Sequence, residues 1–286
     1  MFTSLDTNAI GFAVPFEEAL QLAQVSGFEG LDLPLKQLLP HVQQTSVQEI
    51  KNHLQEAKLR PGGWGLPVDF RGDETSYQAG LAELPAYARL AQALGASRCS
   101  TWILPFSDER DFATNMKFHA QRLRPIAQIL AEHGQRFGLE FVGPKTMRDG
   151  HRYEFISTIA GGLELGQHIG TGNTGLLLDS YHWYTSHGSV EEIQKLTNEQ
   201  VVYVHVNDAP ASRDVDEQLD GERLLPGASG VINIAGFLQA LDHIGYDGPV
   251  VVEPFNAEHR ALPPAERVRA THASLAKIWQ QAGLHE

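Results

Sequence analysis

Four ionisable residues each close a short apolar run: Glu140 in Gly-Leu-Glu-Phe-Val-Gly, Asp179 in Leu-Leu-Leu-Asp, His205 in Val-Tyr-Val-His and Glu253 in Val-Val-Val-Glu. A carboxylate behind apolar residues is costly to bury unless its charge is compensated, and a cation held between several such groups compensates it. Three carboxylates and one imidazole, with no thiolate, form a hard, oxygen-rich donor set. It suits one divalent ion, Mn²⁺ first with Mg²⁺, Co²⁺ and Zn²⁺ also admitted, and argues against copper or an iron–sulfur cluster. Any one of these residues also fits a structural ion pair. Their recurrence at four successive run ends is what points to a metal site.

Further residues attach to this group. His182 follows Asp179 by three positions and carries that run end onward. Arg223 lies in a polar stretch beside Pro226-Gly227. Trp64 and Trp102 stand near the ends of two other runs and suit the apolar walls of a sugar pocket, with core packing the alternative role. Lys145, in Gly-Pro-Lys-Thr, is placed to meet a phosphate or hydroxyl, or only water. Asp208 either orients His205 or forms a turn.

The elements that must position these residues alternate from end to end. Apolar, β-branched runs predict strands over 9–13, 30–33, 60–66, 98–104, 137–142, 175–179, 201–206 and 249–253. Helical periodicity fills 15–25, 45–58, 76–94, 109–133, 154–168, 190–196, 234–244 and 264–282. Runs without polar alternation suit a parallel sheet buried on both faces. Eight βα units without a linker or low-complexity tract predict a (β/α)8 barrel, one domain over 1–286. In such a barrel all strand C-termini share one rim, where active sites sit, so the four ligand candidates converge there. The 25-odd residues from Asn207 to Ile232 show no clear helical period and are expected to cross that mouth. The glycines at 170–175 lack the strand-before, helix-after context of a nucleotide loop and read as a connection.

The bulk properties narrow the partners. A net charge of −13 disfavours nucleic acid. Cys99 is the only cysteine, which excludes an intrachain disulfide and multi-thiolate zinc sites, and its apolar surroundings predict a small buried residue. The N-terminus shows no signal-peptide pattern and no run is long enough to span a bilayer, so a cytoplasmic chain without a membrane partner is expected.

The series GLEFVG, LLLDSYH, VHVNDA, ERLLPG and VVVEPF resembles the xylose isomerase-like TIM barrels. That family spans sugar isomerases and epimerases, inosose-processing enzymes and a branch of apurinic endonucleases. The resemblance implies that Glu140, Asp179, His205 and Glu253 hold the metal, and that Glu140 and Glu253 are the acid/base pair. It also implies that His182 and Arg223 bind substrate oxygens. The chemistry is coherent on its own: deprotonation beside a carbonyl builds charge on oxygen, a metal stabilises it, and two carboxylates remove and return the proton. The implied activity is isomerisation or epimerisation of a small sugar, ketose or cyclitol. The first alternative is a dehydratase on an inosose- or dehydroshikimate-like ring, which shares the first step. A non-catalytic sugar-binding barrel is disfavoured, because two metal-adjacent glutamates serve no binding need. The endonuclease branch is disfavoured as well, because strands two to four end without the histidines of a trinuclear site. No glycine-rich phosphate cradle follows strands seven and eight, which favours a free sugar or cyclitol.

Overall fold

The structure, a computed structural model, describes residues 1–42 and 44–284; of the expected 1–286 span, Gln43, His285 and Glu286 lie outside the described residues. Strands β1 (Phe2–Leu5), β2 (Gly30–Leu31), β3 (Arg60–Pro61), β4 (Trp64–Gly65), β5 (Arg98–Ile103), β7 (Arg136–Phe141), β9 (Thr174–Asp179), β10 (Val201–Val206) and β11 (Pro249–Val252) form one sheet in the order β3-β2-β1-β11-β10-β9-β7-β5-β4. All of its pairings are parallel. The two ends of that order, β3 and β4, are halves of a single stave interrupted at Gly62-Gly63. Arg60 pairs with Gly30 on one side and Trp64 with Cys99 on the other, so the nine strands close into an eight-staved TIM barrel.

Glycine is required at the interruption. A Cβ on Gly62 would lie 2.2 Å from Asp32 Oδ1, and one on Gly63 would lie 2.3 Å from the Tyr203 ring. The remaining strands, β6 (Phe106–Ser107) and β8 (Tyr153–Glu154), make a small antiparallel ribbon beyond β5.

Helices α1 (Phe16–Ser26), α2 (Leu35–His41), α3 (Val47–Glu56), α4 (Glu74–Leu94), α5 (Phe112–Glu132), α6 (Ile159–Ile169), α7 (Ser180–Thr185), α8 (Val190–Gln194), α9 (Ile234–His243), α10 (Ala257–Ala261) and α11 (Pro264–Gln281) connect the staves. Several carry Asx or Ser/Thr caps, among them Asp73 on α4, Asp111 on α5 and Thr158 on α6, whereas α1, α2 and α11 start behind prolines without a side-chain cap. The core lies between these helices and the staves. Every residue of β10 is buried, as expected of a strand covered on both faces. Cys99 is buried and free. No helix among the described residues is long and apolar enough to cross a membrane.

The first strand departs from expectation. It runs over Phe2–Leu5, pairing with β11 and β2, while 9–13 is turn and loop. Thr3 and Ser4 interrupt the apolar pattern because they serve polar groups: Ser4 Oγ donates to Asp32 Oδ1 at 2.7 Å, and the Thr3 amide donates to Glu29 Oε2 at 2.8 Å. The helix expected from 154 begins instead at Ile159, because Tyr153 and Glu154 pair with the β6 ribbon.

Candidate functional site

Each ligand candidate reaches the rim by a local cause. Glu140 is the fifth residue of β7, facing Leu177 in register. Asp179 ends β9 and caps α7: its Oδ1 accepts the Tyr181 amide at 2.6 Å, leaving Oδ2 for the centre of the mouth. His205 lies in β10 with Asp179 and Val251 as its register partners. Glu253 follows β11 directly, its amide donating to Asn207 Oδ1 at 2.9 Å.

The four meet. One ligand atom from each of Glu140, Asp179, His205 and Glu253 lies within 4.8 Å of all the others. His205 Nδ1 stands 3.6 Å from Glu140 Oε1, 3.7 Å from Asp179 Oδ2 and 3.5 Å from Glu253 Oε2. Donors at about 2.1 Å from a shared cation stand roughly 3–4.2 Å apart, so these edges match a coordination shell that needs a slight tightening. His205 Nδ1 and Glu140 Oε1 are buried without a hydrogen-bond partner, which a shared cation would supply.

The electrostatics agree with this crowding. Burial, reinforced by Glu253, raises Glu140 to about 7. Burial likewise raises Glu253. Burial alone would lower His205, but Glu253, Glu140 and Asp179 outweigh it and raise it to about 10. Asp179 ends below its ordinary value because Arg223, His182 and His205 outweigh its burial.

Arg223 is 2% exposed and sits among the ligands. Its Nη1 donates to Asp179 Oδ2 at 2.8 Å and to Glu253 Oε2 at 2.9 Å. Nη2 donates to Asp220 Oδ1 at 2.8 Å and faces His182 Nε2 at 3.2 Å, while Nε donates to the Asp220 carbonyl at 3.1 Å. A guanidinium has five N–H donors, and all five are engaged by protein here. In this arrangement Arg223 braces the cluster and has no donor left for a substrate oxygen. His182 is fully buried and held near pKa 4 by burial and by Arg223, so it is neutral. Both ring nitrogens face donors, Arg223 Nη2 at Nε2 and the Gly143 amide at Nδ1 at 3.3 Å, and a neutral imidazole can accept only one of them.

The outer candidates separate. Trp102 is 43% exposed on β5, in register with Glu140, with Arg71 stacked 4.1 Å over its ring. Trp64 is buried, its Nε1 donating to Gln135 Oε1 at 3.0 Å, although one face lines the mouth cavity. Lys145 is exposed on a 3-10 turn, where its charge lowers Asp216.

Asp208 does not touch His205. Its carboxylate accepts the amides of Ala209, Ser229, Gly230 and Ile232 at 2.7–3.0 Å, and its backbone pairs with Leu224. It pins the long loop that carries Arg223.

Sequence reasoning missed Asn207, wholly buried, whose Nδ2 donates to Asp179 Oδ2 at 3.0 Å while its Oδ1 holds the Glu253 amide. The signal was present: two residues beyond His205, strand alternation returns the side chain to the same face. Asp6 was missed because it precedes the misplaced first strand. Asp32 was read as a strand end but not as part of the mouth. Burial raises both, and Asp32, with Asp6 beside it, reaches about 7.

A sequence model described as the xylose isomerase-like TIM barrel matches residues 20–278. The chain belongs to the xylose isomerase-like TIM barrel family. Within this family, a protein named inosose isomerase from Halalkalibacterium halodurans is 23% identical over 91% of this chain and 89% of its own. A solved xylose isomerase domain protein from Alicyclobacillus acidocaldarius superposes with a TM-score of 0.88 and 31% identity across 99% of both chains. The IOLI protein, solved with a zinc atom, superposes across 99% of both chains with a TM-score of 0.80 and 19% identity, a likeness of fold.

Proposed function

We propose that this xylose isomerase-like barrel is a divalent-metal-dependent isomerase or epimerase of a small sugar, ketose or cyclitol. The observation that carries the reading is the meeting of two glutamates, one aspartate and one imidazole around a common point with two unpartnered ligand atoms. The resemblance to an inosose isomerase supports the substrate class, and the zinc in the IOLI structure supports a divalent ion on this fold.

Glu140, Asp179, His205 and Glu253 would hold the ion, with Mn²⁺ proposed first among Mn²⁺, Mg²⁺, Co²⁺ and Zn²⁺, all of which the donor set admits. When bound, such an ion supplies Lewis-acid polarisation of a carbonyl and its neighbouring hydroxyl. Glu140 comes from β7 and Glu253 from the end of β11, which flank β9 and β10 in the sheet order. One removes the proton α to the carbonyl and the other returns it, giving epimerisation when the proton comes back to the same carbon and isomerisation when it reaches the neighbouring one. Burial raises both glutamates in the metal-free site, and a cation bound between them would favour their ionised, proton-accepting form. Arg223 and Asn207 act as positioning residues that fix Asp179 and Glu253. His182, neutral, sits behind Glu140 at 3.8 Å from its Oε1. Trp102 forms an apolar wall of the mouth.

A dehydratase would begin with the same proton abstraction and differ in losing a β-hydroxyl, which product analysis separates. The test is α-proton exchange in heavy water with Mn²⁺-loaded protein, offered inososes and free ketoses. Exchange is expected in the wild type and is expected to fall by about 100-fold or more in Glu140→Gln and in Glu253→Gln. Exchange that persists in both variants removes these base roles. A metal-loaded wild type that exchanges no such substrate removes the activity.

A further inference from the structure

We propose that Arg267, on the last helix, is a positioning residue of the site: it binds the loop after β1 to the connection after β11 and so keeps two walls of the mouth in place. The proposal rests on the reading above for what those walls serve, and adds how they are held.

β1 and β11 are neighbouring staves, yet their ladder registers Phe2 with Pro249 and Thr3 with Val250, short of the rim residues Asp6 and Glu253. Among the described residues, no backbone hydrogen bond joins the loops that continue them. Arg267 makes that join. It is 7% exposed, and its Nη1 donates to the Ile10 carbonyl at 3.3 Å and to the Gly11 carbonyl at 3.1 Å. Its Nη2 donates to the Arg260 carbonyl and, at 2.9 Å, to the Leu262 carbonyl. The four terminal N–H groups of the guanidinium therefore serve four carbonyls, two from each loop. None of these partners is a carboxylate, so carbonyl dipoles of both loops compensate the buried charge. Gly11 completes the seam: it has φ +86°, and a Cβ there would lie 2.9 Å from Arg260 Nε, so glycine lets the first loop close against the last.

Both tied segments lead into the site. In the first loop the Ile10 amide donates to the Asp6 carbonyl at 3.4 Å and the Phe12 amide to the Thr7 carbonyl at 3.0 Å. Asp6, Asn8 and Ala9 in turn line the mouth beside His205 and Glu253. In the last loop the Phe255 carbonyl accepts the Arg223 amide at 3.2 Å, and the Arg223 guanidinium lies 4.4 Å over the Phe255 ring. Asn256 donates to the Arg223 carbonyl at 3.3 Å and, through Oδ1, accepts the His259 amide at 2.8 Å. The His259 ring returns to the start of α11, its Nε2 standing 3.2 Å from the Arg267 carbonyl. Arg223 carries this order to Asp179 and Glu253, to which its Nη1 donates. Arg267 touches no ligand residue in these bonds and acts through the two loops. A lysine would keep the charge but offer one compact ammonium in place of a planar fork that spans both loops.

A purely structural Arg267 would lower stability evenly and leave the mouth of the folded protein unchanged. The experiment uses the full-length chain as wild type, Arg267→Lys and Arg267→Ala, each well below its melting temperature. Amide hydrogen exchange is expected to quicken about tenfold or more over residues 7–14 and 255–262 in both variants, while β10 keeps the wild-type rate. Mn²⁺ affinity, read by competition with a chelator, is expected to weaken by about 3–10-fold, less than the 10–100-fold typical of a partner bonded directly to a ligand. About 20 mM guanidinium chloride, far below the molar range that unfolds proteins, is expected to restore both readouts in Arg267→Ala. The same concentration of ammonium chloride should not, because only the planar fork serves carbonyls of both loops. If Arg267→Ala fails to fold, the loop exchange and Mn²⁺ affinity of Arg267→Lys decide the matter. Exchange unchanged in the two loops, or raised equally in β10, overturns the proposal. Loosened loops with unchanged Mn²⁺ affinity reduce Arg267 to a structural tie and overturn it as well. A wild type that binds no Mn²⁺ removes the metal site instead, and that failure is visible before any variant is compared.

Discussion

Asn207 bonds to two ligand residues at once, to the Asp179 side chain and to the Glu253 amide. Partners behind metal ligands set ligand orientation, and losing one typically costs about 10–100-fold in metal affinity. Asn207→Ala is therefore expected to weaken Mn²⁺ binding by about that factor, read by competition with a chelator, while the folded far-ultraviolet spectrum is kept. Unchanged affinity would show that Arg223 and the Tyr181 amide suffice to fix the two carboxylates. At this scale the sequence was informative for a physical reason: an acid or imidazole closing an apolar strand is visible within five residues, so Glu140, Asp179, His205 and Glu253 were legible. Asn207 and the full engagement of Arg223 were not, because their roles depend on which groups meet across strands distant in the chain. Asn looks the same in a turn as in a buried bridge, and an Arg in a polar loop looks solvated until its five donors are traced.

Among the elements, the long loop after β10 was legible as irregular, and the reason for its order was not. Four amides converge on the Asp208 carboxylate, those of the buried Ala209 and Ile232 among them, and a lost acceptor leaves these buried donors unsatisfied. Asp208→Ala is expected to destabilise the protein by about 2–3 kcal/mol and to open residues between Asp208 and Ile232 to limited proteolysis before the rest of the barrel. Cleavage that starts elsewhere would contradict this anchoring. The first strand was misplaced because Thr3 and Ser4 hide the apolar pattern of Phe2–Leu5, and only its pairing with β11 and β2 reveals it. Helix α5 carries a separate pH effect. His119 is 4% exposed against Phe70 and Phe155, and burial lowers its pKa from 6.5 to about 4. The unfolded chain takes up this proton below about 6.5 and the folded chain resists until about 4, so the unfolded state binds more protons in between. Stability from this group is complete above that window and is lost as pH falls through it, by on the order of 3 kcal/mol. Urea titrations from pH 7 to pH 4 are expected to show a shallower loss in His119→Phe than in the wild type; parallel curves would refute the assignment.

For the whole molecule, closure was legible only as a count of eight βα units. The stave divided at Gly62-Gly63 joins the two ends of the sheet, and that join requires knowing that Asp32 and Tyr203 need the space a side chain would fill. A barrel closed by backbone pairing and an apolar core does not need an ion to fold, in contrast to small zinc domains that unfold without metal. The rim cluster nevertheless sets three carboxylates around one point with Arg223 as the only guanidinium bonded to them among the described residues, so a cation there adds stability by mass action. At about 100 times its Kd a ligand bound only to the folded state contributes about 2.7 kcal/mol, which for a chain of this size raises Tm by roughly 5 °C. Chelated protein is thus expected to keep its far-ultraviolet spectrum, to melt cooperatively, and to gain about that much on adding Mn²⁺. The gain should be largely absent in Glu253→Gln, which removes one charge from the shell while keeping its shape. A melting temperature indifferent to Mn²⁺, Co²⁺, Zn²⁺ and Mg²⁺ alike would leave the barrel intact and take the metal away from it.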